Sequence, residues 1–326
     1  MTLCGETGEI PCVRMRLPMR LITFAGIIGL AVAAVGARQA IPQATGPNVA
    51  RDLRGAIDIH VHADPDNVPR SLDGLEAARF AKDNGMRAIV LKSHFDPTAG
   101  LALLARKAVP GIEVFGGIDL NLPVGGMNAH AVDHMARVNG GWGRVVWMST
   151  FDSENQMRTS KSNAPYVRVS QNGALLPETK AVIAAIAKHN FVLASGHVSA
   201  EEALLMFEEG RRLGIRGMVA THGMSAPTSL TGEQAQQAAR LGVFIEFVSG
   251  TLATPNAQAK IDRLADDIRK VGVEHAILSS DLGQRGNPLP ADGYATYMDA
   301  LRKKGFTDQE LDRMAKQNPA RLLGLE

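Results

Sequence analysis

Residues 57–62 read Ile-Asp-Ile-His-Val-His, a short run in which branched apolar residues alternate with polar ones. Seven further apolar runs, rich in β-branched residues and bounded by glycine, proline or aspartate, occupy residues 88–94, 112–119, 144–150, 191–197, 218–222, 243–248 and 275–281. Runs of this length and composition are typical of buried parallel strands. Because helical segments separate them, the eight units predict a (β/α)8 TIM barrel. A doubly wound open sheet is the alternative, but it more often has fewer strands.

The segments between the runs carry helix and turn signals. Residues 199–202 and 307–310 match the capping box, and residues 255–271 have apolar side chains at helical spacing. A long βα loop follows strand 4, and in it Asn172-Gly173 predicts a hairpin. A long loop at the mouth of a barrel is typical of a lid.

Composition narrows the class of protein. Hydrophobic residues make up 45% of the 326 residues and charged residues 21%, so the chain has enough apolar side chains for a packed core. Lys and Arg total 35 against 33 Asp and Glu, a balance that argues against nucleic-acid binding. The two cysteines, Cys4 and Cys12, both lie near the start of the sequence, which excludes zinc-finger and iron–sulfur sites from the remainder.

The N-terminal residues predict export. Basic residues precede the apolar run 21–35, and the small residues Gly36-Ala37 follow it. This order is typical of a secretory signal peptide, and an uncleaved membrane anchor is the alternative. The mature protein is then periplasmic or secreted and does not insert stably in a membrane. The expected organisation is a leader with a signal peptide at residues 1–40, a linker at 41–54 and a barrel at 55–326.

Histidine and aspartate stand at the ends of several predicted strands. His60 and His62 are two residues apart in the first strand, so both project to one face while Ile59 and Val61 face the other. His197, His222 and Asp281 end the fifth, sixth and eighth runs. The carboxyl ends of barrel strands meet at one mouth, and imidazole with carboxylate suits a divalent transition metal. We expect one or two ions, zinc first and manganese, iron, cobalt or nickel as alternatives.

These residues resemble the amidohydrolase superfamily. The similarity rests on His60-x-His62, His197, His222 and Asp281, and it extends over residues 55–326, including the closing segment 318–324. Residues 91–94, 125–128 and 146–150 are more similar to one branch of the superfamily whose members have no established function. The resemblance implies the barrel fold and dependence on a metal, and it leaves the substrate open.

One position departs from the superfamily pattern. Members with two metals usually carry a carboxylated lysine or a glutamate at the end of strand four, where this chain has Trp147-Met-Ser-Thr150. Lys92 instead ends the second strand, and we favour a carbamylated metal ligand there. The alternative is an ammonium group that binds an anionic substrate or a developing oxyanion. His94, two residues on, is a further ligand or a proton-transfer group.

The predicted function is metal-dependent hydrolysis of an amide, ester, lactone or phosphoester in a small molecule. The metal would activate water, Asp281 would act as general base, and His94 is the second catalytic candidate. Arg70, Asn121 and Asn128 are candidate substrate-binding residues. The alternatives are a solvated loop arginine for Arg70 and ordinary turn chemistry for the asparagines. Two other functions stay open: a metal-dependent decarboxylase or isomerase on the same barrel, and a non-catalytic extracytoplasmic metal- or ligand-binding protein. The sequence is also compatible with a homo-oligomer.

Overall fold

The structure, a computed structural model, describes residues 53–253 and 256–326. The expected leader at residues 1–40 and all of the linker except Leu53 and Arg54 lie outside these ranges. Within them, no helix combines the length and the apolar character needed to cross a membrane.

In the described part of the chain, parallel strands form the wall of a barrel. In sheet order they are β1 (Ile57–His62), β2 (Ala88–Lys92), β3 (Glu113–Asp119), β4 (Gly143–Trp147), β7 (Val192–Ala194), β8 (Met218–Ala220), β9 (Phe244–Val248) and β10 (Ala276–Ser279). The short strands β5 (Ser170–Gln171) and β6 (Ala174–Leu175) pair separately as an antiparallel hairpin. This arrangement confirms the predicted (β/α)8 barrel and the hairpin at Asn172-Gly173 in the long loop after β4.

Backbone hydrogen bonds close the ring between its last and first strands. The Asp281 amide donates to the His60 carbonyl over 3.0 Å, and the His62 amide donates to the Leu282 carbonyl over 2.9 Å. The Ser280 amide also donates to the Asp58 carboxylate over 3.0 Å. The seam of the barrel therefore runs through the segment that follows β10, next to the end of β1.

The helices alternate with the strands. They are α1 (Gly74–Asp83), α2 (Ala99–Ala108), α3 (Ala129–Met135), α4 (Glu154–Ser160), α5 (Pro177–His189), α6 (Ala200–Arg212), α7 (Gly232–Arg240), α8 (Ala257–Val271), α9 (Pro290–Lys303), α10 (Asp308–Asp312) and α11 (Asn318–Leu323). Both predicted capping boxes are present, before α6 and before α10. The predicted start of α8 at Pro255 lies outside the described residues, and the helix begins at Ala257. Leu322 of α11 packs against the barrel core with Ile57 and Val90.

Several strands end earlier than the sequence predicted. The apolar runs were expected to reach His94, Thr150, His197, His222 and Asp281, but each of these residues lies in the loop just beyond its strand. At two of these residues the backbone turns out of the sheet in a left-handed conformation, with φ values of 32° at His222 and 51° at Asp281. The site side chains are therefore held by the first residues of the βα loops.

The alternation predicted for β1 is wrong at Ile59. The register between β1 and β2 shifts between Asp58 and Val61, as in a β-bulge. Because of this shift, Ile59 packs in the barrel core with Val90, although His60 and His62 still lie together. Ile59 and His60, which are neighbours in β1, thus both face the barrel interior, which strict alternation does not allow.

The close contact between Gly283 and His62 at the seam predicts that a larger residue at position 283 destabilises the barrel. Gly283 has a φ of 128°, and a methyl group at this position would overlap the carbonyl oxygen of His62. We expect Gly283→Ala to lower the free energy of unfolding by at least about 3 kcal/mol, since backbone strain and steric overlap add. Urea denaturation followed by circular dichroism measures the change.

Gly286→Ala is the matched control for this variant. Gly286 also has a positive φ, 90°, but no atom lies near the position of an added methyl group. It should cost only the strain of the left-handed backbone, about 1–2 kcal/mol. Equal destabilisation by the two substitutions would show that the close approach at the seam does not matter.

Candidate metal centre and its cavity

The predicted metal ligands converge at one end of the barrel. Asp281 Oδ1 lies 3.1 Å from His62 Nε2 and 3.2 Å from His60 Nε2. One ligand atom from each of these three residues lies within 4.8 Å of the others. In the loops after β7 and β8, His197 Nε2 and His222 Nε2 are 3.2 Å apart, and the ring centroids of His222 and His60 are separated by 6.2 Å. The structure thus brings together all five residues that the strand-end pattern singled out.

The hydrogen bonds of the imidazoles test whether these residues suit a metal ion. His60 Nδ1 lies 3.1 Å from Glu246 Oε1, and His197 Nδ1 lies 3.0 Å from Gln156 Oε1. Each oxygen can only accept, so each Nδ1 carries the hydrogen and each Nε2 presents a lone pair. Two Nε2 lone pairs, the nearby His62 and His222 rings and the Asp281 carboxylate form a nitrogen–oxygen donor set that fits a divalent transition metal.

Glu246 on β9 supports this set, although it was not among the predicted site residues. Its Oε1 accepts hydrogen bonds from His60 Nδ1 at 3.1 Å and from the Ser279 hydroxyl at 2.6 Å, while its Oε2 accepts from the His222 amide at 2.8 Å. Burial raises the pKa of this carboxyl group, but the attraction and hydrogen bond of the adjacent His60 imidazole outweigh burial and bring the pKa to about 2. The available signal was a glutamate inside an otherwise apolar strand, since buried charges require partners.

Lys92 and Asp119 form a second buried group beside the first. Lys92 Nζ lies 3.2 Å from His60 Nε2, 3.7 Å from Asp119 Oδ2 and 5.0 Å from the centre of the Trp147 ring. Burial raises the pKa of Asp119 to about 6, although the charge of Lys92 acts in the opposite direction. Asp119 ends β3 and was not among the predicted site residues.

His94 lies between this group and the cavity. Its Nδ1 is 2.9 Å from Thr150 Oγ1 and 3.2 Å from Asp119 Oδ2. Its ring stacks on Phe151, with centroids 3.9 Å apart, and faces His62 at 4.8 Å. Burial, together with the charge of Lys92, holds the pKa of His94 well below its usual range, so the ring is neutral.

A cavity of about 590 Å³ opens above these side chains, a volume suited to a small molecule. The predicted site residues His60, His62, Arg70, His94, His197, His222 and Asp281 line it. Arg70 is only 4% exposed, and its Nε and one terminal nitrogen donate to Asp66 Oδ2 at 2.9 and 2.7 Å. Arg70 is therefore a fixed guanidinium group at the cavity wall and not a solvated loop residue.

The two predicted substrate-binding asparagines support the backbone instead. The Asn121 amide nitrogen donates to the His94 carbonyl and to Thr150 Oγ1, and its oxygen accepts from the Ser149 hydroxyl and the Thr150 amide. Asn121 is fully buried. Asn128 caps α3, since its oxygen accepts from the backbone amides of the first turn. The turn chemistry considered as the alternative therefore describes both residues, and neither lines the cavity.

Solved structures with similar folds include an amidohydrolase, a lactonase and a decarboxylase. An amidohydrolase from Pseudomonas aeruginosa has a TM-score of 0.56 at 13% identity, covering 84% of this chain and 97% of that one. A PTE-like lactonase mutant from Deinococcus radiodurans has a TM-score of 0.56 at 17% identity, covering 86% and 98%. A 2,6-dihydroxybenzoate decarboxylase from Rhizobium has a TM-score of 0.52 at 12% identity, covering 83% and 99%. At such identities the likeness concerns the fold.

The sequence itself matches one family. Residues 55–246 match DUF6282, which is described as a family of unknown function. No curated protein matches the sequence. Because the match covers more than half of the chain, the protein belongs to the DUF6282 family, and its fold is the amidohydrolase-like TIM barrel.

Proposed function

We propose that the protein is a metal-dependent hydrolase that cleaves an amide, ester, lactone or phosphoester bond in a small molecule. The observation that carries this proposal is the convergence of His60, His62 and Asp281 on the floor of the cavity, with His197 and His222 beside them. A divalent ion held by these side chains would polarise the scissile carbonyl or phosphoryl oxygen and activate water. The fold shared with an amidohydrolase and a lactonase supports the same class of reaction.

Asp281 is the general base in this proposal. Its carboxylate lines the cavity, and its side chain is 24% exposed, so it can reach both water and substrate. Burial raises the pKa of Asp281, but the imidazoles of His60 and His62 outweigh burial and hold it well below the usual range. The ionised carboxylate can therefore take a proton from the attacking water and deliver it to the leaving group.

Arg70 supports a second candidate function, decarboxylation of a carboxylic acid. Its guanidinium group lies at the cavity wall, where it can bind a substrate carboxylate, and two structures of similar fold are of a decarboxylase. Asp66 pairs with Arg70 and reduces the positive charge available to such a substrate. Release of CO₂ from aromatic carboxylic acids, measured with the metal-loaded protein, distinguishes decarboxylation from hydrolysis.

The surroundings of Lys92 favour an ammonium group over the carbamate preferred on sequence grounds. The face of the Trp147 ring and the Asp119 carboxylate both attract a cation. A carbamate would instead place a second anion beside Asp119 in a buried region, which is costly. We therefore propose that Lys92 supplies the positive charge that balances Asp119.

Removal of the metal should abolish hydrolysis. Chelator-treated, dialysed protein is expected to lose at least about a hundredfold in rate, because both water activation and oxyanion stabilisation depend on the ion. Rates are measured on aryl esters, lactones, N-acyl amino acids and phosphotriesters, with metal content from elemental analysis. Re-addition of Zn²⁺, Mn²⁺ or Co²⁺ should restore the rate, and full activity of metal-free protein would contradict the proposal.

Replacing the proposed base should separate proton transfer from folding. Asp281→Asn keeps the shape of the side chain and one ligand oxygen but cannot take a proton, so kcat should fall by at least about a hundredfold. Asp133→Asn, on α3 and away from the cavity, is the control and should leave kcat unchanged. A near-normal kcat for Asp281→Asn with full metal content would assign the base to another residue.

Glu246→Gln should weaken metal binding. Glutamine offers one oxygen where the carboxylate accepts from His60, Ser279 and His222, so one of these donors then faces the amide NH₂ group. Loss of such a partner typically lowers metal affinity by about 10–100-fold. Competition with a chromogenic chelator measures the affinity, and Glu113→Gln, on an exposed ion pair with Arg87, is the control. Unchanged affinity in Glu246→Gln would remove Glu246 from the metal centre.

A further inference from the structure

His94 has a hydrogen-bond arrangement that differs from those of the metal-site histidines. Its Nδ1 contacts Thr150 Oγ1 at 2.9 Å and Asp119 Oδ2 at 3.2 Å. Thr150 Oγ1 in turn donates to Asp119 Oδ2 at 2.9 Å and accepts from Asn121 Nδ2 at 2.7 Å. All of these side chains are buried.

The positions of the hydrogens follow from this network. The single hydroxyl hydrogen of Thr150 goes to Asp119, so its oxygen can only accept from His94. The Asp119 carboxylate, which faces the Lys92 ammonium group, also only accepts. Since both neighbours of Nδ1 are acceptors, Nδ1 of His94 carries the ring hydrogen and Nε2 carries a lone pair.

The orientation of the ring places that lone pair in the cavity. His94 stacks on Phe151 on one face, with an interplanar angle of 25°, and on His62 on the other, with an angle of 27°. Nothing in residues 53–253 or 256–326 hydrogen-bonds to Nε2, while His94 lines the cavity. His94 stacks on His62, and His62 contacts Asp281. The His62 ring therefore lies between the His94 ring and the proposed base.

We propose that His94 Nε2 is a hydrogen-bond acceptor that selects substrates carrying a hydroxyl or N–H group next to the scissile bond, and that Asp119 is the positioning residue that fixes its tautomer. A buried ring that is held at Nδ1 by two acceptors suits this role because its Nε2 atom is left to accept a hydrogen bond. The proposal rests on the hydrolase function proposed above, and it adds the class of substrate: an α-hydroxy or α-amido ester, lactone or amide.

Matched substrates test the selectivity. The pairs are methyl mandelate with methyl phenylacetate, and α-hydroxy-γ-butyrolactone with γ-butyrolactone. The hydroxylated member of each pair should have a kcat/KM about tenfold higher, the worth of one hydrogen bond. His94→Phe keeps an aromatic ring between Phe151 and His62 but removes the acceptor, so the ratio should fall to about one. Ser160→Ala, which removes a different hydroxyl group from the cavity wall, should keep the wild-type ratio.

Two kinetic results of this experiment would overturn the proposal. One is a wild-type ratio near one, and the other is a preference that persists in His94→Phe. A large loss of metal from His94→Phe would also overturn it, because His94 would then be a metal ligand.

The tautomer is measured without any turnover. In protein labelled with ¹⁵N-histidine, long-range ¹H–¹⁵N correlation spectra should show His94 protonated at Nδ1 and unprotonated at Nε2, with the signal assigned by its absence in His94→Phe. Asp119→Asn should shift His94 toward a mixture of tautomers, a change that loss of packing alone does not produce. A wild-type His94 protonated at Nε2 would contradict the proposal.

A failure of the hydrolase function can be told apart from a failure of this inference. If neither substrate pair is hydrolysed, the hydrolase proposal fails for these bonds, and equilibrium binding of mandelate and phenylacetate to the metal-loaded protein replaces the kinetic ratio. Tighter binding of mandelate that is lost in His94→Phe would support the acceptor site independently. Equal binding of the two acids would overturn it.

Discussion

The hydrogen bonds between His60–His62 and Asp281–Leu282 close the barrel, and they also assemble its candidate metal centre. These bonds lie next to the cavity. The side chains of His60, His62 and Asp281 line the cavity, and Leu282 follows Asp281 in the chain. The approach of Gly283 to the His62 carbonyl makes this seam tight. Because closure of the ring fixes Asp281 relative to β1, the ligands meet only when the last strand has joined the first.

Two buried carboxylates, Glu246 and Asp119, each support one half of the barrel mouth. Glu246 links His60, Ser279 and the His222 backbone, so one side chain connects β1, β9, β10 and the loop after β8. Asp119 lies between Lys92 and His94 and supports the other half. In both cases the carboxylate fixes an imidazole through Nδ1 and leaves Nε2 for the cavity, which sets the acceptor direction of the ring.

The fold and the main ligands could be predicted because they follow from periodicity. Eight apolar runs predict the barrel, and residues at or just after the carboxyl ends of parallel strands meet at one mouth, as His197, His222 and Asp281 do. Glu246 and Asp119 were missed because their partners are far away in the sequence. Ile59 packs in the barrel core because of a β-bulge, which the alternation of the sequence does not indicate. The structural role of Asn121 depends on its contacts with the loop after β4, which form only in the folded barrel. The leader at residues 1–40 lies outside the described residues, so export stays a prediction.

The most direct test of the metal centre is anomalous diffraction from crystals of protein purified without chelators or added metal. Data collected on both sides of the absorption edge of the element found by elemental analysis locate the ion without reference to activity. A peak within coordination distance, roughly 2.0–2.2 Å, of His60 Nε2, His62 Nε2 and an Asp281 oxygen is the predicted result. Fully metal-loaded crystals with no anomalous peak at these side chains, or with a peak only elsewhere, would contradict a metal-dependent hydrolase built on this barrel mouth.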